Sequence, residues 1–325
     1  MPKRGKNVVT EVEESKMLTV YNTIDNMIVN TDKPEEKGTW INMINPTEEE
    51  IALVTKANGI ECDFIKDVLD DDERPRIEIE NNQILVIINV PIVQNATVIY
   101  ETIPLGIILT ENHFVTVCLQ EVDVFKDFLN GKVRDVETCK KTRFLFQILY
   151  KSASLYLTSL RDIEKKTNEI ELALQKSMRN KDLIRLLNLQ KSLVYFTTSL
   201  KSNEQVMEKM LRTKVLKIYE EDQDLLEDVI IENKQALEMA ETFSNISSSM
   251  MVSFSSIISN NLNIVMKFLA SITIILALPT MLASFFGMNV KIPLATAENG
   301  FSIVVGMSIV LCFGGIMYLM KREMF

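Results

Sequence analysis

Three patterns of apolar residues follow one another along the chain. Up to residue 131 the apolar runs are short and rich in Ile and Val, with turn residues between them. Residues 8–20 and 23–29 are short segments with some alternation, and strands are predicted over 76–80, 84–90, 96–103, 106–110 and 113–119. Asn82, Pro91, Asn95, Pro104 and Glu111-Asn112 separate them. Trp40-Ile41-Asn42-Met43-Ile44-Asn45-Pro46-Thr47 reads as a strand running into a helix start. Thr47 is an N-cap residue, and Glu50 completes a capping box before Ile51 and Val54. A second helix is predicted over 61–69, broken by Glu73-Arg74-Pro75-Arg76. Helices and strands in this order predict an α+β domain with a partly antiparallel sheet.

After Gly131 no glycine or proline occurs until Pro279, and apolar residues recur at three and four. That spacing predicts long helices. Met178-Arg179-Asn180-Lys181 is the expected turn of an antiparallel helix hairpin, and 214–220 is a second weak point. From about residue 221 the pattern runs without pause into an apolar span over 264–286, and a second span covers 301–320. Each holds about twenty residues or more, long enough for a bilayer core. The expected division is a mixed domain over 1–131, a hairpin and stalk helix over 132–262 and a first membrane helix over 263–287. A loop over 288–300, a second membrane helix over 301–320 and a basic tail over 321–325 complete it.

The first span carries one charge, Lys267, and the second none; Lys321 and Arg322 follow the second, while Lys291 and Glu298 nearly balance in the loop. The excess of positive charge places the large N-terminal part and the C-terminus in the cytoplasm, with the chain a multi-pass protein of the cytoplasmic membrane. The basic N-terminus is followed by no apolar run, so no secretory signal is expected. The net charge of −9 and the lack of a basic stripe with aromatics argue against a nucleic-acid partner. Cys62, Cys118, Cys139 and Cys312 form no CxxC pair, and Cys312 lies inside an apolar span, which argues against a zinc or disulfide framework. His113, the one histidine, reads as a packing residue. No P-loop, nucleotide fingerprint or Ser/His/Asp arrangement is present, so neither an enzyme nor an organic cofactor is expected.

One face of the first span differs from the rest. Asn263, Met266, Ala270, Thr273, Ala277, Thr280, Ser284 and Gly287 follow at spacings of three or four, and all but Met266 are small or polar. Two readings stand. Small residues let helices pack closely, with Thr and Ser bonding back to their own backbone. Or several copies of the helix surround an axis, and the stripe lines a water-filled path. The second requires a homo-oligomer, because two spans cannot enclose a pore. No carboxylate lies between Asn263 and Asn289. A ring of Asn289 amide oxygens would accept hydrogen bonds from the water shell that Mg²⁺ holds tightly. Met266 and Leu269 would form an apolar constriction near the cytoplasmic end.

Gly287-Met288-Asn289 at the end of the first of two C-terminal spans resembles the signature of the CorA family of magnesium channels. Asn263-Ile264-Val265-Met266-Lys267 is similar to the family's N-x-V-M-K start of that span. Trp40-Ile41-Asn42…Asn45-Pro46-Thr47 resembles its W-I-D…N-P-T segment, and Glu73-Arg74-Pro75-Arg76-Ile77-Glu78 its R-P-K/R-x-E strand start. The resemblance implies a funnel-shaped homopentamer with a cytoplasmic α/β domain, an acidic helical hairpin, a stalk helix continuous with the pore helix and an outer ring of second spans, set in membrane lipid. It implies that Gly287, Met288 and Asn289 form the selectivity filter for hydrated Mg²⁺, that Co²⁺ and Ni²⁺ pass too, and that cytoplasmic Mg²⁺ bound between subunits holds the channel shut. The stalk acid of that regulatory site would be Asp228, with Asp224 and Glu227 beside it.

The chain departs from the family pattern in three places. The partner acid expected near 91–95 is absent, Val290 follows the signature where an aromatic is common, and Lys291-Ile292-Pro293-Leu294 replaces the acidic M-P-E-L loop. Two alternatives stay open at this stage: a zinc transporter of the related branch, against which Met288 argues, and a membrane-anchored coiled-coil protein without transport.

Overall fold

A computed structural model of the chain describes residues 18–24, 27–31, 37–94, 99–177, 179–213, 216, 219–288 and 299–322. The expected segment over 8–17, the loop over 290–298, Asn289 and the tail over 323–325 lie outside the described residues. The chain divides into two compact units, residues 1–248 and 249–325.

The first unit is built on a seven-stranded sheet in the order β2-β1-β3-β7-β6-β5-β4. The strands are β1 Leu18–Ile24, β2 Met27–Asn30, β3 Trp40–Ile44, β4 Arg76–Glu80, β5 Gln83–Gln94, β6 Ile99–Leu109 and β7 Phe114–Cys118. Every pairing is antiparallel except β3 with β7.

Period-two alternation sends Leu85 and Ile87 to one face and Val86 and Ile88 to the other, and all four are fully buried. The first face is covered by α1 Glu48–Asn58 and α2 Cys62–Val68, with Ile51, Val54, Phe64, Ile65 and Val68 in the core. The second face carries a larger core around Trp40, Phe114, Phe128 and Phe144. A 3₁₀ turn at Asp123–Phe125, α3 Lys126–Leu129, α4 Lys141–Lys176 and α5 Asn180–Thr213 supply it, with the start of α6 Glu220–Phe286.

The predicted capping box is present. Glu50 N donates to Thr47 Oγ1 at 3.3 Å, and Thr47 N donates back to Glu50 Oε2 at 2.9 Å. Gly59 then ends α1 at φ 63°, a left-handed position open to glycine without strain. Gly106 has a different reason. A Cβ there would lie 2.2 Å from Val68 Cγ2, so only glycine lets α2 sit this close to β6.

The alternating segment over 23–29 takes in the end of β1, at Ile24, and the start of its antiparallel partner β2, at Met27. One expectation is corrected. Pro91 and Pro104 do not end strands: each lies inside one, Pro91 opposite Thr102 and Pro104 opposite Asn89. The pairings explain why. β4 leaves β5 after Ile87, and β7 reaches β6 only from Leu105. Each proline therefore sits where its strand has a neighbour on one side only, so its missing N–H breaks no ladder bond.

A buried polar network pins the helices to this end of the sheet. Asn203 Oδ1 accepts from Asn89 N at 2.9 Å, and Asn203 Nδ2 donates to Asn89 O at 2.8 Å. Tyr156 Oη also donates to Asn89 O, at 3.0 Å. α4 ends at Lys176 and α5 begins at Asn180, so Asn180 and Lys181 of the expected turn lie in the helix. Residues 141–213 carry fourteen Lys and Arg against seven Asp and Glu. The acidic hairpin that the resemblance implied is thus a basic one here.

The second unit holds the rest of α6 and α7 Gly300–Lys321. Both helices are long and apolar enough to cross a membrane.

Candidate functional site: the polar stripe of α6

Within the second unit α7 takes one face of α6. Ser271 is fully buried, and Ile275, Leu278, Leu282 and Phe286 are half-buried on the same face. Cys312 Sγ approaches the carbonyl oxygen of Ile275 at 3.7 Å. A Cβ on Gly315 would lie 3.2 Å from Leu278 Cδ1, so α7 offers its small residues to this side.

The stripe found in the sequence is on the other side. At about 100° per residue its centre lies about 180° around the helix from Ile275. Asn263, Met266, Ala270, Thr273, Ala277, Thr280, Ser284 and Gly287 are all exposed in the single chain, and so is Leu269. An exposed helix face of a membrane protein ordinarily shows large apolar side chains to lipid; Ile274, Leu276 and Met281 do so on the flanks. A small and polar face left open by α7 is the wrong surface for acyl chains.

The hydroxyls of this face are partly committed. Thr273 Oγ1 donates to Leu269 O and Thr280 Oγ1 to Leu276 O, each at 2.8 Å. The proton of each hydroxyl is thereby used, and the oxygen keeps its capacity to accept. What the stripe offers along its length is acceptors, the polarity that the water shell of a cation seeks. α6 ends at Phe286, and the last residue of the stripe follows it, Gly287 N donating to Ala283 O at 2.9 Å. Gly287 and Met288 are exposed; Asn289, the third residue of the expected filter, is outside the described residues.

The basic residues expected to flank the spans are exposed. Lys267 is on α6, and Lys321 and Arg322 close α7, with the Arg322 guanidinium 5.8 Å from the centre of the Tyr318 ring. A cation stacked on an aromatic ring is suited to a membrane boundary.

The acids expected to sense Mg²⁺ lie near the start of α6, in the first unit. Asp224, Glu227 and Asp228 are all exposed, and Glu227 accepts from Gln223 Nε2 at 3.3 Å. The buried Asp222 beside them faces Arg143 at 3.6 Å. Among the described residues no three acidic, His or Cys side chains gather into a metal site within one chain. The three exposed carboxylates are hard oxygen ligands of the kind Mg²⁺ takes, but a site built on them needs further ligands from a second copy.

His113 is a packing residue, just before β7. It is buried, with Nδ1 3.1 Å from Thr39 Oγ1, and burial together with nearby Lys141 pushes its pKa down. Which face of α6 takes α7 was missed by reasoning from the sequence. The signal was faint: Cys312 and Gly315 form a small-residue patch in α7, with nothing to say which helix it meets.

Residues 35–322 match the profile of the family described as CorA-like Mg²⁺ transporter protein. The chain is 28% identical over 283 residues to the cobalt/magnesium transport protein CorA of Methanocaldococcus jannaschii, covering 84% of this chain and 86% of that protein. The complete structure of the CorA magnesium transporter from the same organism superposes with a TM-score of 0.80 at 25% identity, covering 94% of this chain and 98% of that one. The cytoplasmic domain of ZntB from Vibrio parahaemolyticus superposes at 0.58 with 13% identity over 75% of this chain and 96% of that one, a likeness of fold alone.

Proposed function

Because the chain belongs to the CorA-like Mg²⁺ transporter family, we propose that it is a homopentameric channel of the cytoplasmic membrane, admitting Mg²⁺, and Co²⁺ or Ni²⁺ as well, with both termini in the cytoplasm. The observation that carries this reading is the open stripe of α6, polar or small at every position but Met266 and facing away from α7. Five copies turned inward would join their stripes around one axis and hide them from lipid. The α7 helices would then form the outer ring.

The chemistry follows from the donors. A ring of Asn289 side chains accepts hydrogen bonds from the waters of a hydrated Mg²⁺ without stripping them, which neutral amides cannot do cheaply. Thr280 and Thr273 continue the acceptors inward. Met266 and Leu269 form an apolar collar that closes by excluding water. The membrane potential, negative inside, draws the divalent ion inward by about 4–5 kcal/mol at about 100 mV, so no other energy source is needed. Cytoplasmic Mg²⁺ held by Asp228, Asp224 and Glu227 between neighbouring subunits keeps the α6 helices in the closed arrangement. When cytoplasmic Mg²⁺ falls, the carboxylates repel and the ring loosens.

The test is Mg²⁺ uptake into proteoliposomes with an inside-negative potential, for the wild type and Asn289→Ala. Wild-type uptake that largely disappears in a variant of unchanged oligomer size supports the reading. Absence of wild-type uptake at low internal Mg²⁺, or uptake indifferent to the substitution, overturns it.

A further inference from the structure

The tip of the α4–α5 hairpin is a basic surface with apolar side chains set into it. Between residues 172 and 191 there are five Lys and Arg, namely Lys176, Arg179, Lys181, Arg185 and Lys191, and one acid, Asp182. All five basic side chains are exposed. Asp182 is buried and paired with Arg185 at 3.5 Å. Lys176, Arg179, Lys181 and Lys191 have no acidic partner among the described residues. Leu172, Ile184 and Leu187 are exposed beside them, the first two at 59% and 58%. A cavity of about 710 Å³ opens between the two helices here. Ile170 and Leu189 line it, and Lys166, Lys181 and Arg185 bring the positive charge; Glu169 and Asp182 also reach it.

We infer that this tip is a docking surface for the anionic headgroups of the membrane leaflet facing it. The inference rests on the reading of the chain as a membrane channel and adds a contact outside the pore. Its chemistry is that of peripheral membrane contacts, where Lys and Arg meet lipid phosphates and short apolar side chains enter the headgroup layer.

Position supports the lipid over the other acidic surface on hand. α5 runs antiparallel to α6, and Gln190 Nε2 donates to Ser248 Oγ at 2.8 Å. The tip therefore lies at the end of the first unit where Ser248 closes it, and beyond Ser248 the chain runs into its apolar span. The acidic run at the start of α6 is at the opposite end, where Asp222 meets Arg143 of α4. Along α6 the two ends are about 39 Å apart at about 1.5 Å per residue. Copies inserted in one membrane in one orientation hold all tips at one level and all acidic runs at the other. A tip cannot then meet the acidic run of its neighbour, which leaves lipid phosphates as the anions for its unpaired basic side chains.

The test uses the full-length protein in nanodiscs, once of phosphatidylcholine alone and once with a third of the lipid replaced by phosphatidylglycerol. Hydrogen–deuterium exchange is followed for the peptides covering 172–191. The expected result is several-fold slower exchange in the anionic discs. The protection vanishes in about 1 M salt, where the screening length falls to about 3 Å. It also vanishes in the variant Lys176→Gln, Arg179→Gln, Lys181→Gln, Lys191→Gln, checked for oligomer size. Equal exchange in the two lipids overturns the inference, and so does equal protection in phosphatidylcholine discs by inorganic phosphate. Mg²⁺ flux from the same preparation reports separately on the channel. Intact flux without lipid-dependent protection removes the tip contact alone.

Discussion

Cys312 Sγ of α7 donates to the carbonyl oxygen of Ile275 on α6. That carbonyl is the one Pro279, four residues on, leaves without a partner, since proline has no N–H to give. In an apolar helix water cannot replace the lost donor, so a neighbouring helix must. The thiol is a weak donor, yet it stands where α6 has none of its own.

Cys312→Ala should therefore lower the melting temperature in detergent, by the equivalent of about 1 kcal/mol or less. Cys312→Ser, which keeps a donor, should fall less. In a Pro279→Ala background α6 regains its own N–H, and Cys312→Ala should cost little. Equal costs in both backgrounds of this double-mutant cycle would show that the two helices do not share the bond.

Asn203 is the clamp between α5 and the sheet, because it bonds both the N–H and the carbonyl of Asn89. Both groups point to the side of β5 that β4 leaves vacant beyond Ile87, where the sheet offers them no partner. Asn203→Leu keeps the volume and removes both partners, and should destabilise by about 2–3 kcal/mol. Chemical unfolding in detergent reads this directly. A neutral Asn203→Leu would mean that water satisfies Asn89 equally well.

Stability should fall on the acid side of neutrality through His113. Burial and Lys141 depress its folded pKa below the ordinary 6.5. The unfolded chain then takes up the proton first as the pH drops, which favours unfolding from about pH 6.5 downward through the folded value. Above that range His113 is neutral in both states and contributes no slope. His113→Gln should flatten the melting temperature against pH between about 7 and 5 relative to wild type. Parallel profiles for the two proteins would assign the slope to other groups.

Asp224→Ala with Asp228→Ala should weaken closure by internal Mg²⁺. In proteoliposomes the internal concentration that halves uptake should rise several-fold, with uptake at low internal Mg²⁺ unchanged. An unmoved inhibition curve would leave these carboxylates as a solvated, acidic helix start, favoured there by the helix dipole.

Local chemistry made much of this legible in advance. Thr47 and Glu50 marked a helix start whose two reciprocal bonds involve only neighbours in the chain. The breaker-free run after Gly131 marked α4, α5 and α6, because helices are built from contacts at three and four. The stripe from Asn263 to Gly287 was readable for the same reason, since a helical period alone decides which residues share a face. Strand ends were not readable at Pro91 and Pro104. A proline stops a strand only where a neighbour needs its N–H, and that depends on where β4 and β7 begin and end.

By itself, then, the sequence determined the two apolar spans, the helical hairpin and the composition of each helical face. These depend on the period of the backbone and the polarity of side chains, both local properties. Only the tertiary structure decided that α7 lies against Ser271, Ile275 and Leu278 and leaves the polar stripe open. It alone brought Cys312 to the carbonyl Pro279 orphans, and Asn203 to Asn89 across 114 positions of chain. Such pairings are set by packing between elements distant in sequence, and no local pattern encodes which faces meet.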